Sequence, residues 1–173
     1  MQAATFLFRE IAERTTGGRS AFSNIDVQYK GSSNDAELNR GIARFGADPT
    51  ALAALKADGE PAGATPIPVL SIHSINDPQV SVNAEAVYRD LAKATASSPR
   101  LVQAYTDEDG HTAQSDPEIA TALDSLMQWI ETGRRPSPQS VAAGCESLKA
   151  SLAGPCRYRP EFEPRGYAAV GTQ

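Results

Sequence analysis

The sequence predicts an α/β protein that carries the C-terminal portion of a doubly wound, mostly parallel sheet. Two short apolar runs, residues 67–72 and 100–106, are typical of strands buried on both faces. Each run is followed by a helical pattern, and the order strand, helix, strand, helix favours parallel pairing. A sheet of two strands leaves most of its backbone and apolar groups without partners. We therefore expect the sheet to be incomplete without a second chain or a missing N-terminal half.

Residues 1–65 are predicted to form a helical segment that precedes the sheet. Helices are expected over three stretches: residues 4–15, residues 35–45 and residues 49–56. Asn34 can cap the second helix, and the third opens on Asp48-Pro49, a cap followed by a first-turn proline. Residues 24–29 look extended and are a candidate third strand.

Residues 66–136 carry the strand, helix, strand, helix order. The helix between the strands is expected over 84–95, with Asn83 as its cap. The helix after the second strand, 117–132, has the strongest pattern, and Gly133 is expected to end it. The side chains expected to face the core from these two helices are Val87, Tyr88, Leu91, Ile119, Leu123, Leu126, Trp129 and Ile130.

Residues 137–173 are predicted to form a tail that contains a disulfide. A short helix is expected near 141–152, and the proline-punctuated segment 157–164 is expected to wrap a surface. Cys145 and Cys156 are the only cysteines, and a disulfide between them would close a small loop; the alternative is two unpaired thiols. A disulfide would indicate an oxidising compartment, and so a periplasmic or secreted protein.

Composition narrows the function. The 173 residues are 40% hydrophobic and 21% charged, as in a globular domain. The net charge of -5 and the lack of a Lys/Arg-rich run argue against nucleic acid as a partner. No apolar run approaches the roughly 18 residues that span a bilayer, so no membrane partner is expected. Two histidines and two cysteines do not have the usual spacing of a zinc site, and no cofactor is expected.

Asp77 and His111 are the candidate catalytic residues. Asp77 ends the first apolar run, and His111 lies in the turn that follows the second. A carboxylate and an imidazole on loops after neighbouring strands are two thirds of a hydrolytic triad. His111 is predicted to act as general base and then general acid, with Asp77 orienting it and stabilising its charge. Asp107 and Asp109, closer to His111 in sequence, are the alternative acids.

Other polar and aromatic residues are interpreted as structural. His73, at the end of the first strand, is expected to have a structural or pocket-lining role. Ser71 and Ser74 are not placed on a strand-to-helix elbow and are not expected to be nucleophiles. Trp129 is expected in the core. Four phenylalanines are candidates either for ordinary packing or for lining a pocket: Phe6, Phe8, Phe22 and Phe45.

Residues 67–132 resemble the C-terminal part of an α/β-hydrolase, and the chain looks like bacterial esterase-like members of that family. The family's acid follows a strand in a pattern like Pro-Val-Leu-x-x-His-Gly-x-x-Asp-x-x-Val. Residues 68–80 match it, with Ser74 in place of the glycine. Gly110-His111 matches the family's histidine turn, and the final helix follows it. Residues 1–65 fit the position of the family's lid insertion.

The resemblance implies a triad in the order Ser, Asp, His, but the family's elbow, Gly-x-Ser-x-Gly, is absent from this sequence. The nearest string, residues 31–35, lacks the second glycine. The resemblance therefore implies a second chain that carries the nucleophile and the central sheet. It implies hydrolysis of a small-molecule ester, or secondarily an amide, through an acyl-enzyme without a cofactor. The alternatives are an acyltransferase on the same fold and a non-catalytic binding or assembly subunit of hydrolase-like shape.

Overall fold

The computed structural model describes residues 9–10, 13 and 17–166. Contacts between residues divide the chain into two compact units, Met1–Glu60 and Pro61–Gln173. The described residues contain five α-helices and a two-stranded parallel sheet, which is a mixed α/β arrangement and fits a partial α/β domain. The expected helix over 4–15 lies mostly outside the described residues, as do Phe6 and Phe8.

The N-terminal unit contains two capped helices. Helix α1, Asp35–Gly41, begins as predicted, with the Asn34 side chain accepting a hydrogen bond from the Glu37 N–H at 3.1 Å. Helix α2, Pro49–Gly59, opens after Asp48, whose side chain accepts from the Ala51 N–H. The prediction that α1 continues to residue 45 is wrong, because the chain becomes extended at Ile42.

Residues 24–27 form a turn and residues 28–29 have no regular structure, so the prediction of a strand over 24–29 is wrong. The buried Asn24 side chain donates to the Ala43 carbonyl at 2.9 Å and accepts from the Phe45 N–H at 2.8 Å. This amide takes up the backbone groups of the segment after α1, so the turn is stabilised by a side chain and not by a sheet. Phe22 and Phe45 are both exposed, and neither packs into a buried core.

The C-terminal unit is built on strands β1, Val69–Ser74, and β2, Leu101–Thr106. They are parallel and in register from Val69 opposite Leu101 to Ser74 opposite Thr106, which confirms the predicted pairing. β2 is buried along most of its length. β1 is half-buried except at Ser74, so the expectation that both its faces are buried is wrong. The reason is that β2 is its only partner strand in the described part of the chain.

Helix α3, Asn83–Ala94, connects the two strands and packs on one face of the sheet. Asn83 does not cap it as predicted; Val82 occupies the cap position without a side-chain hydrogen bond. The residues that α3 buries are the small Ala86 and Ala92, while Val87 is exposed. The predicted inward stripe is wrong at Val87 because the contact with the sheet is partly polar. In that contact Glu85 accepts hydrogen bonds from Ser71 and Gln103, each at 2.7 Å.

Helices α4, Asp116–Thr132, and α5, Pro138–Leu148, pack on the other face. A capping box of Ser115 and Glu118 starts α4, and Gly133, in the left-handed region at φ 72°, ends it as predicted. Trp129 is buried, which confirms its assignment to the core. The core between the helices and the sheet contains Ala104, Val141, Cys145 and Tyr158, flanked by Leu70, Ile72, Ala142 and Cys156.

One face of α4 is apolar and exposed. Four side chains, which we name the α4 stripe, are between 46% and 58% exposed: Ile119, Leu123, Met127 and Ile130. The prediction that Ile119, Leu123 and Ile130 face the core is therefore wrong for this chain. The residues that the helix instead buries are Pro117, Glu118, Thr121, Ala122 and Trp129. At Thr121 the approach to α5 is so close that a Cβ on Gly144 would lie 2.5 Å from the Thr121 hydroxyl oxygen.

The tail follows α5 back to the sheet. A disulfide joins Cys145 in α5 to Cys156, with Cα atoms 5.9 Å apart, as predicted. Tyr158 then forms an antiparallel bridge with Thr106 of β2. The backbone N–H of Arg159 donates to the Tyr105 carbonyl at 2.8 Å. The tail therefore runs along the edge of β2 that faces away from β1.

Candidate active site

Asp77 and His111 meet at the carboxyl ends of the two parallel strands. Asp77 lies in the turn after β1, and His111 lies in the loop that joins β2 to α4. Oδ2 of Asp77 is 2.8 Å from Nδ1 of His111. The other carboxylate oxygen, Oδ1, accepts from the backbone N–H groups of Gln79 and Val80 at 2.8 and 2.9 Å. The turn thus fixes the carboxylate, and the carboxylate orients the ring.

The Asp77 side chain is 6% exposed, whereas that of His111 is 36% exposed. Burial disfavours the charged form of Asp77, but the Val80 N–H, His111 and the Gln79 N–H outweigh it and lower the pKa of Asp77 to about 2. Asp77 is therefore a carboxylate at neutral pH and can only accept. Nδ1 of His111 must then carry the hydrogen, which directs the lone pair of Nε2 away from Asp77.

The alternative acids are engaged elsewhere or exposed. Asp107 accepts from the Arg159 side chain (Nε–Oδ2 2.9 Å) and from the Asn76 amide at 3.0 Å. The hydrogen bond from Arg159 is the main reason that the pKa of Asp107 lies below its usual value. Asp109 is exposed. Of the three aspartates weighed from the sequence, the structure pairs Asp77 with His111.

The other histidine and the serines of β1 lie outside this pair. Nδ1 of His73 is 2.7 Å from the carbonyl oxygen of Ser74, which is a local contact along the strand. The buried Ser74 hydroxyl donates to the Glu108 carbonyl at 2.6 Å. The Ser71 hydroxyl donates to Glu85 on α3. Both serine hydroxyls are thus used in holding the fold together.

A buried carboxylate below the His111 loop was not found from the sequence. Glu118 is completely buried and accepts from the Arg157 guanidinium at 3.0 Å and from the backbone N–H groups of Ser115 and Arg157. Burial raises its pKa, but these hydrogen bonds, that of Arg157 first, lower it overall. The spacing Ser115-x-x-Glu118 does signal a capping box. Nothing local signals the arginine 39 positions further along the chain.

The loop itself holds two further unusual residues. Glu108 is buried; one carboxylate oxygen accepts from the Thr106 hydroxyl at 2.8 Å and the other has no partner among the described residues. Burial is the main reason that the pKa of Glu108 is raised. Thr112, which follows His111, has φ 54°. A β-branched residue in the left-handed region is strained, so its surroundings must hold it there.

Two hollows in the C-terminal unit have different relations to the pair. One of about 450 Å³ adjoins the start of the His111 loop. It is lined by Ile75, Asp107, Tyr158, Arg159, Pro160, Glu161 and Phe162. A larger one, about 600 Å³, lies between α4 and α5, and neither Asp77 nor His111 lines it. Neither Asp77 nor His111 lines the smaller hollow either, although Ile75 and Asp107 place it near the turn and the loop that carry the pair.

Comparisons of the chain with protein-family models, with curated proteins and with solved structures find no match. Within residues 17–166 and the few described before them, no group of three or more His, Cys, Asp or Glu side chains is arranged to bind a metal ion. None of the helices in the described part of the chain is long and apolar enough to cross a membrane. What the site offers chemically is an oriented imidazole with a carboxylate behind it.

Proposed function

We propose that this chain supplies the acid and the base of a serine hydrolase triad, on an α/β-hydrolase-like fold that a partner completes. The observation that carries the proposal is the 2.8 Å contact between Asp77 and Nδ1 of His111, at the carboxyl ends of parallel strands. Active sites of open α/β sheets lie at that end. The exposed ring has its second nitrogen available to a nucleophile.

The proposed chemistry needs one serine from the partner. Nε2 of His111 takes the proton of the serine hydroxyl as its oxygen attacks the ester carbonyl carbon. The imidazolium gives that proton to the leaving oxygen, and the alcohol departs. Water then attacks the acyl-enzyme by the same two proton transfers and releases the acid. Throughout, the Asp77 carboxylate stabilises the positive ring.

The open edge of β1 supports the proposal that a partner completes the sheet. The Ile75 N–H donates to the Thr106 carbonyl, so the backbone groups of the odd-numbered residues of β1 face β2. Those of Leu70, Ile72 and Ser74 must face the opposite side. No strand pairs with that side in the described part of the chain. A further parallel strand would take up these groups.

The α4 stripe supports the same proposal. α4 contacts β1, and α5 contacts β2, so α4 is the helix nearer to the open edge. Thr121 faces α5, since its hydroxyl donates to the Val141 carbonyl. At 3.6 residues per turn, Leu123 and Ile130 lie roughly 180° around the helix from Thr121. The stripe is thus on the side away from α5, where it would cover the next strands of an extended sheet.

The disulfide supports an oxidising location for this enzyme. Disulfides persist in the periplasm and outside the cell, and thiols of the cytosol are kept reduced. The joined Cys145 and Cys156 therefore favour a periplasmic or secreted protein.

The test is to tag the chain in its native host, isolate it with whatever it binds, and identify that partner by mass spectrometry. We expect a polypeptide with Gly-x-Ser-x-Gly that reacts with a fluorophosphonate. The complex should hydrolyse a short-chain aryl ester. A partner without the motif would favour the alternative of a binding or assembly subunit, and transfer of the acyl group to an added alcohol would favour an acyltransferase.

Variants of the complex test the roles. His111→Ala should abolish turnover, and Asp77→Asn should lower kcat on the order of 10⁴-fold, by analogy with the serine-protease triad. His73→Ala, the other histidine, is the control and should act mainly through stability. Near wild-type turnover by His111→Ala would show that this chain does not supply the base.

A further inference from the structure

The tail residue Arg157 contacts both ends of the loop that carries His111. At one end, the Asp107 N–H donates to the Arg157 carbonyl at 3.0 Å. At the other, the Arg157 guanidinium donates to the Ala113 carbonyl at 2.9 Å. His111 lies between these two attachment points. One residue far along the chain therefore spans the loop.

Arg157 is itself held in place by the buried Glu118. Its backbone N–H and its Nε donate to Oε1 of Glu118 at 2.6 and 3.2 Å, and its Nη2 donates to Oε2 at 3.0 Å. The contact is a fork between a guanidinium and a carboxylate, which fixes direction as well as distance. Because Glu118 lies in the first turn of α4, this contact fixes the position of Arg157 relative to the helix that follows the loop.

The chain just before Arg157 is also fixed. Cys156 is joined to Cys145, which is fully buried in α5. Gly154 has φ 143°, and a Cβ on it would lie 2.9 Å from Cβ of Ser115, so only glycine fits at this approach. The Ser115 hydroxyl donates to the Pro155 carbonyl. The tail therefore packs closely against the start of α4, and this packing restricts the conformation of the chain that leads to Arg157.

The loop needs such support, since Thr112 is strained at φ 54° and persists there only if its surroundings hold it. We propose that Arg157 is a positioning residue for His111, through which the disulfide-anchored tail holds the ring against Asp77. The inference rests on the proposed function for its catalytic meaning. The placement of the ring can be measured whatever reaction the chain supports.

The chain has two histidines, and both form a hydrogen bond through Nδ1. The probe is the pair of ring N–H signals in proton–nitrogen NMR of the chain labelled with ¹⁵N-histidine, recorded in the complex in which it is purified. Arg157→Ala should remove the signal of the His111 ring N–H that is hydrogen-bonded to Asp77 and leave that of His73. Arg157→Lys should weaken the signal, because one ammonium cannot form the fork. Arg165→Ala, an exposed arginine of the same tail, is the matched control and should change neither signal.

In an active complex, Arg157→Ala should lower kcat by roughly 10- to 100-fold through misplacement of the base, with KM little changed. The proposal is overturned if Arg157→Ala keeps the His111 signal, or if both Arg157 variants lose the two ring signals together, which would mark a purely structural role. If the complex has no hydrolase activity but Arg157→Ala still loses only the His111 signal, the positioning stands and the proposed function fails.

Discussion

The two edges of the sheet differ. Along β2, the tail contributes an antiparallel bridge at Tyr158 and backbone hydrogen bonds to Tyr105 and Asp107. Along β1, no described strand pairs, the strand is half-buried, and the α4 stripe lies exposed on the same side. The tail thus covers part of the β2 side of the C-terminal unit, which we call the tail side. The β1 side is uncovered in the described part of the chain, and we call it the open side. The candidate pair takes one residue from each side: Asp77 follows β1, and His111 follows β2.

The largest expected effect on stability is on the tail side. Glu118→Ala should lower the free energy of unfolding by roughly 3 kcal/mol, because it removes one partner of a buried charged pair. This is the low end of the usual range, since the Arg157 side chain keeps 30% of its exposure and can be hydrated. Urea unfolding measures it. Glu131→Ala, an exposed glutamate of the same helix, should change little, and equal losses in the two variants would contradict the comparison.

Removal of the disulfide should have the next largest effect on stability, again on the tail side. Replacing both Cys145 and Cys156 by serine should cost roughly 2–3 kcal/mol in the chain-entropy description of a short closed loop. Hydrogen exchange should rise first in residues 157–160, which follow the cross-link, and not in β1. Peptide mapping without reductant should recover the linked pair. Two free thiols in protein isolated without reductant would remove the support for an oxidising compartment.

On the open side the effect should be on assembly and not on folding. Leu123→Lys places a charge in the middle of the α4 stripe, where the side chain is exposed in this chain. The free energy of unfolding of this variant should stay within about 0.5 kcal/mol of wild type. Binding of the partner should weaken by about 30-fold or more, which corresponds to about 2 kcal/mol. Val87→Lys, which also introduces a lysine at an exposed apolar position but on α3, is the control. Equal weakening by both variants would show that the stripe is not the contact.

A separate effect is expected at the pair itself, in acid. The pKa of Asp77 in the folded chain, about 2, lies below the value of about 3.9 usual for an unfolded chain. Its contribution to stability is therefore present above about pH 4 and is lost as the pH falls toward 2. Stability of wild type should drop through that window, and Asp77→Asn should show a smaller drop. Parallel curves for the two proteins would contradict this assignment.

The sequence was sufficient where the signals are local. The order of the strands and their parallel pairing were predicted from apolar runs and the helical patterns between them. The start and end of α4 were predicted from Asp116-Pro117 and Gly133. The disulfide was predicted from the two cysteines of the tail. The site residues Asp77 and His111 were predicted by the positions of strand ends, and the structure brings them into contact. Their catalytic role stays a prediction.

What could not be predicted depends on contacts between distant residues. The turn at 24–27 is stabilised by the Asn24 side chain, which satisfies backbone groups beyond α1. The apolar pattern of α4 shows a face but not its occupant, so Leu123 was assigned to a core that this chain does not form. Glu118 and Arg157 are far apart in the sequence, and they meet because the tail returns to the start of α4.

The tail's bridge to β2 also bears on how far an assembly can grow. A sheet with two free edges can add neighbours on both, and contacts of that kind extend into fibres when no rotation closes them. Here Tyr158 and the residues around it cover the far edge of β2 at its C-terminal end, whereas the edge of β1 has no partner strand in the described part of the chain. The chain's own tail therefore disfavours addition of a strand beside β2 and leaves β1 as the more open edge.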